Sequence, residues 1–227
     1  MKRFAKQFLL TLTLAVTFSV AKAQKVDISE VTTIDVNIAC QLIMVQGDSP
    51  NLEIVGEEKA VANVKTQIRN GKLILSHKKE YNRMRKEDVV VKIEVADLSR
   101  LNISGVVDMK TVRTLHFNNF HLAVSGVGNI DMSLFADDFK LTCSGVATLN
   151  LTGQANDMRV NVSGVGNVSA TDFEAKDAVV SNSGVGRVQV FVQDNLDASV
   201  SGIGSIRYAG NPSVRSDVSG LGRISRK

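Results

Sequence analysis

The chain has 227 residues, 44% of them hydrophobic and 22% charged, with 17 Gly, two Cys, no Trp and a formal net charge of +4. That excess comes entirely from Lys2, Arg3, Lys6 and Lys22, so residues 24–227 are balanced, and charge nominates neither nucleic acid nor an anionic membrane as a partner. Two isolated cysteines, Cys40 and Cys143, do not make a zinc module, and no cofactor is expected.

Residues 1–23 read as a secretory signal peptide: a basic start, an apolar run from Phe8 to Val20, and Ala21-Lys22-Ala23 as a small-x-small cleavage site. The apolar run is shorter than the roughly 20 residues of a bilayer span, so no transmembrane anchor is expected in the mature chain. Gln24 and Lys25 follow the site, which removes the cysteine that lipid attachment would need. Export leads to the periplasm or the cell surface, where Cys40 and Cys143 either pair or sit buried as small apolar residues.

Residues 24–227 are expected to form a single domain, with starting coils and a cap over 24–98. There Ile34-Asp35-Val36-Asn37-Ile38 alternates, Leu42 to Val45 is apolar, and Gln46-Gly47-Asp48 turns. A short helix is expected near Glu57–Asn63. Asn70-Gly71 predicts a hairpin joining Val64/Thr66/Ile68 to Leu73/Leu75. After the polar loop 77–88, Val89/Val91/Ile93/Val95 alternates again.

Residues 99–227 are a repeat. Ser-Gly recurs at Ser104, Ser125, Ser144, Ser163, Ser183, Ser201 and Ser219, with VSGVGNI (124–130) and VSGVGNV (162–168) the fullest copies. Five, three and one positions before the serine the residues are mainly apolar, as in Phe139, Leu141 and Cys143, which is a strand with one buried face. Apolar residues return two and five positions after it, as at Val127 and Ile130. Both are expected to point inward, with the glycines supplying φ > 0 at a corner. Six positions before the serine, Asn119, Asp138, Asp157, Asp177, Asn195 and Ser213 mark a further corner by bonding the local backbone. The prediction is an all-β parallel solenoid of 18–21 residues per coil, each with three short strands and three bends. A propeller blade needs roughly 40 residues and a leucine-rich repeat its own Leu/Asn signature, so both fit worse.

Taken together, the leader, VQGD (45–48), NGKLIL (70–75) and the SGVGNI-like repeats resemble the putative auto-transporter adhesin, head GIN domain family. The resemblance covers nearly all of residues 24–227. It implies a right-handed single-stranded β-helix, an exported location and no established biochemical activity. Since the sequence runs only to Lys227 after its last repeat, it departs from true auto-transporters, and no translocator barrel of its own is expected.

Catalytic and metal readings find little support in the residues. The equivalents of Asp131 are Asn150, Ser169, Gln189, Arg207 and Ser225, so no calcium-type carboxylate ladder exists, and no GxxxxGK[ST] loop is present. Asp108, Asp131 and Asp217 are outward candidates for a glycosidase pair, but are expected on different columns and distant coils. Only Tyr81 and Tyr208 offer tyrosine platforms for sugar. His77, His116 and His121 read as exposed loop residues. The basic run 77–87 reads as a solvated loop, with an acidic glycan or lipid head group as its alternative. Asn182 interrupts a column of Val, either as part of an Asn ladder or at a bulge.

The functional expectation is a non-enzymatic envelope protein that binds a glycan, polymer or protein partner through flat solenoid faces, with Asn129, Thr148, Asn167 and Arg187 as the candidate face. A structural module that self-associates through its C-terminal coil edge is the alternative. A polysaccharide-cleaving enzyme ranks third.

Overall fold

The computed structural model describes residues 24–78 and 89–227. The leader and most of the basic run 77–87 lie outside them. The described chain forms a β-solenoid of about seven turns, as the repeat predicts.

The repeat half is a stack of strands in register: β8 (Arg100–Ile103), β9 (Val106–Thr111), β10 (Leu115–Val124), β11 (Val127–Cys143), β12 (Val146–Val162), β13 (Val165–Asn182), β14 (Val185–Val200), β15 (Ile203–Ala209), β16 (Ser213–Val218) and β17 (Arg223–Arg226). All pair in parallel, and equivalents fall opposite one another, as in Leu122↔Leu141↔Val160↔Val180↔Ala198. Where three short strands per coil were expected, β11 to β14 each run 16 to 18 residues from one Ser-Gly to the next. Hydrogen bonding continues around most of the coil because the bends are built from extended residues. In β11, Ile130, Met132 and Leu134 point inward, and the pattern then skips at Asp137–Asp138 to resume with Phe139, Leu141 and Cys143. That skip is the corner the polar column predicted, but its bonds run between coils: Asp138 accepts from Arg159 at 3.2 Å and Asp177 from Asn195 at 2.6 Å.

The Ser-Gly bend works by proximity. None of the Ser-Gly glycines has a positive φ, contrary to expectation; of the second glycines of the motif only Gly186 (+142°) does, and Gly153 (+126°) lies outside it. A Cβ on Gly126, Gly145 or Gly164 would fall inside contact distance of the carbonyl of the equivalent glycine one coil earlier. That same carbonyl accepts the next strand's first N–H, as in Val146 N to Gly126 O at 3.0 Å.

A second correction concerns the column two residues after the serine, expected inside. Val106, Val127, Val146, Val165, Val185, Ile203 and Leu221 are 48–86% exposed. The inward position is the next residue, held to Val107, Gly128, Ala147 or Gly166. Val124 and Ile130 pack close there, since a Cβ on Gly128 would meet their side chains at 3.3 and 3.4 Å.

The cap has a topology that periodicity did not reveal. It comprises β1 (Gln24–Asp27), β2 (Thr33–Val36), β3 (Ala39–Gln46), β4 (Asn51–Gly56), α1 (Glu58–Asn63), β5 (Val64–Arg69), β6 (Lys72–His77) and β7 (Val89–Val95). The expected helix is therefore present, as is the hairpin, with Asn70 (φ 50°) and Gly71 (φ 71°) in the left-handed region between β5 and β6. β2 lies between β6 and β8, and β3 between β7 and β9, so the first coil in the chain is second in the stack. Antiparallel strands finish that end, β5 on β6, β4 on β7 and β1 on β4, which shields the edge a parallel stack would expose.

The core is filled by several inward columns, one of which carries Phe120 and Phe139. Phe139 stacks on Phe120 (centroids 6.2 Å, planes 8° apart) and meets Phe173 at 5.4 Å. Asn182 is fully buried, and both ends of its amide serve its own bend. Its Oδ1 accepts from Gly184 N (3.2 Å) and its Nδ2 donates to Gly186 O (3.3 Å), so it belongs to a local irregularity, not a ladder.

Cys40 and Cys143 are free and buried, on coils separated by two others. Burial pushes the Cys40 thiol up to about 12 and raises that of Cys143, so neither is a thiolate at neutral pH. Both should be inert to a thiol-directed chromogenic disulfide in the native protein and titrate as two thiols in denaturant. A disulfide found by mass spectrometry would contradict this placement.

Candidate functional site

Outward positions alternate with the core, so each polar column becomes a ladder. Asn129, Thr148, Asn167 and Arg187 are consecutive rungs of one column, in register across β11 to β14. Thr148, Asn167 and Arg187 line a shallow depression with Asn150, Ser169 and Gln189 from the next outward column. The exposed Val ladder runs two residues before the candidate column, so the face is amphiphilic. A recurrent device prevents like charges from stacking along it: an Asp on one coil faces an Asn on the next. Asn129 donates to Asp108 at 3.1 Å and Asn150 to Asp131 at 2.7 Å. Asp108 and Asp131 thus lie on adjacent coils, closer than expected, but each carboxylate is engaged by an amide. Asp217 is far down the stack on β16.

A larger groove, of about 380 Å³, opens six to eight residues beyond the candidate column along the coil and was missed in the sequence. One wall is the column His116, Phe135, Gln154, the other Asn118, Asp137, Asn156, with Phe117 and Ala136 between them. Phe135 is 44% exposed and takes the His116 ring edge-on at 5.0 Å. Asn156 donates to Asp137 at 3.0 Å. Gln46, from β3, clamps the groove's cap-side end: its Oε1 accepts from His116 N (2.7 Å) and its Nε2 donates to the carbonyls of His116 and Ala96 (both 2.9 Å). Phe117 in turn packs on Phe120 of the core stack (5.1 Å), which ties the floor to the solenoid interior. The groove's signal in the sequence is an exposed aromatic, Phe135, in a column that runs through His116, Gln154 and Glu174 to Phe191.

His116 and His121 lie in β10 and not in a loop. His121 bonds Thr142 Oγ1 (3.0 Å); partial burial, then Arg100 and Lys140 on neighbouring coils, hold its imidazolium below the usual range. Among the described residues, no three His, Cys, Asp or Glu side chains are grouped to hold a metal ion, and no helix is long and apolar enough to cross a membrane.

The chain is similar over 91% of its length to three solved proteins. A putative adhesin from Bacteroides fragilis NCTC 9343 is 26% identical, with 96% of that chain covered and a TM-score of 0.84. A putative lipid binding protein from Parabacteroides distasonis ATCC 8503 (20% identity, 96% covered, TM-score 0.67) and a putative adhesin from Parabacteroides merdae ATCC 43184 (20%, 95%, 0.65) share the fold. No curated protein matches the chain. Residues 30–212 match the family profile whose motifs the sequence carries, and the chain belongs to the family described as putative auto-transporter adhesin, head GIN domain.

Proposed function

We propose that this protein is an exported, non-enzymatic binding module of the cell envelope, and that its groove at Phe135 takes a neutral glycan. The observation that carries this reading is the composition of the groove. An exposed aromatic ring stands across from a carboxylate and two amides, all on rigid strands. Apolar sugar faces pack on such rings, while hydroxyls need planar acceptors and donors such as Asp137, Asn118, Asn156 and Gln154. The volume is that of a small-ligand site. A phosphate or acidic glycan fits worse, because Asp137 contributes a negative charge and neither Lys nor Arg lines the groove. The family's adhesin description is consistent with export and attachment.

Calorimetric titration with soluble neutral oligosaccharides tests this. Phe135→Ala should weaken binding about a hundredfold, the equivalent of losing ~3 kcal/mol of aromatic contact. Asp137→Ala should weaken it less, and the thermal midpoint should barely change in either variant. Undiminished binding by Phe135→Ala, or no binding of any neutral glycan by the intact protein, would remove the groove from consideration.

Self-association through the last coil is the second reading. It is favoured by Val214, Val218 and Leu221, which stand exposed on and between β16 and β17.

A further inference from the structure

From the ridge of Val106, Val127, Val146, Val165, Val185, Ile203 and Leu221 we infer an antiparallel homodimer in which this ridge packs against its copy. Neither the family description nor the glycan reading requires it. It rests on three features of one face.

The first feature is apolar continuity. Seven aliphatic side chains, each about half exposed or more, lie in one column, and adjacent strands are about 4.8 Å apart, so the ridge is roughly 29 Å long. Isolated exposed aliphatics are common, but an unbroken strip of this length is not a usual monomer surface. Nothing in the fold requires it, because Ala39, which pairs with Val106, occupies the same column one coil up.

The second is extent. The ridge is flanked by the exposed serines of the bends on one side and by the Asn129 column on the other. This band is about 13 Å wide between column centres at ~3.3 Å per residue. Between column centres the band covers about 380 Å², roughly half of the ~800 Å² per partner of a standard interface before side-chain margins are added.

The third is charge, which also sets the orientation. Down the flanking column the residues are Asp108, Asn129, Thr148, Asn167, Arg187, Ser205 and Arg223. The acid stands at the cap end and the bases at the other. A two-fold axis across the ridge at Val165 reverses the stack and lays this column against itself. Asp108 then faces Arg223 twice, Arg187 faces Thr148, and Asn167 faces Asn167. Asp108 is free to accept, since its only described bond is from Asn129 to one oxygen. A parallel dimer would set this column against the serines and leave Asp108 without a cation. The predicted face is therefore a binding face, and its partner is a second copy of the chain. The groove at Phe135 stays open.

Single cysteines test the geometry, because the buried Cys40 and Cys143 do not compete for a cross-linker. Val165→Cys, at the two-fold axis, should form a disulfide with itself under mild oxidation. Val106→Cys alone should not, but an equal mixture of Val106→Cys and Leu221→Cys should give the mixed dimer. In sedimentation equilibrium the native protein should be dimeric. Val165→Asp should weaken association at least tenfold while the resulting monomer keeps the far-ultraviolet circular dichroism spectrum of the native protein. Asp108→Arg should also weaken it, and adding Arg223→Asp to that variant should restore it. A native protein that is monomeric throughout the concentration range overturns the inference. So does self-cross-linking of Val106→Cys, which marks a parallel pair. A dimer that survives Val165→Asp and is lost in Val218→Lys moves the contact to the last coil and also overturns it. None of these outcomes bears on the Phe135 groove, which is read by glycan titration.

Discussion

Gly145→Ala is expected to destabilise the fold by about 3 kcal/mol, near the upper end of what overpacking costs. The added Cβ would meet the Gly126 and Ser125 carbonyls, which are backbone atoms held in the coil ladder and unable to swing aside. Moving them would stretch the Val146 N to Gly126 O bond, and the strain would pass to the coils on either side through the same stack of glycines. Gly128→Ala is the matched control. Its Cβ would touch only the ends of Val124 and Ile130, and Ala147 already occupies the equivalent position one coil on. A shift in the urea midpoint for Gly145→Ala with little change for Gly128→Ala is the predicted pair. Equal midpoints would show that the bends yield more easily than the stacking geometry implies.

The second large effect should come from the aromatic column. Phe139→Ala is expected to cost about 3–5 kcal/mol. Phe139 is fully buried and bridges Phe120 on one side and Phe173, two strands away on β13, on the other. The neighbours are strands paired above and below, so the cavity cannot collapse. Phe139→Met, which repeats the residue found at Met158, should recover most of the loss. A calorimetric midpoint within two or three degrees of the parent for Phe139→Ala would mean that the column is looser than its stacking indicates.

Periodicity exposed most of the fold because a solenoid repeats each environment. Leu101, Leu122, Leu141, Val160 and Val180 are alike in sequence because they occupy the same place in successive coils. Chemistry at single positions was less legible. Val127 and Ile130 are both aliphatic, yet only Ile130 points inward, because the bend lets Gly128 take the inner position between them. The glycines were read as sources of φ > 0, when most are needed for backbone approach, which depends on neighbours about 20 residues away. The cap escaped for a similar reason: the positions of β2 and β3 are decided by pairing with β6 to β9, which no local pattern encodes. Thr148, Asn167 and Arg187 came together as expected because a column is a ladder by construction. The Phe135 groove did not emerge, since it depends on two columns diverging at the Asp137–Asp138 corner.

The interleaving of the cap also bears on the order in which a growing chain can fold. From β10 onward each coil needs only the one made about 20 residues earlier, so the repeat can lengthen one rung at a time. β2 has no such predecessor. Its two neighbours, β6 and β8, begin at residues 72 and 100, and Asp35 waits for Asn102 to donate to it at 2.6 Å. The chain must therefore extend by some 67 residues past Asp35 before that pair can close. The template that all later rungs copy is the slowest part to assemble, because long loops must close before their contacts repay the lost entropy.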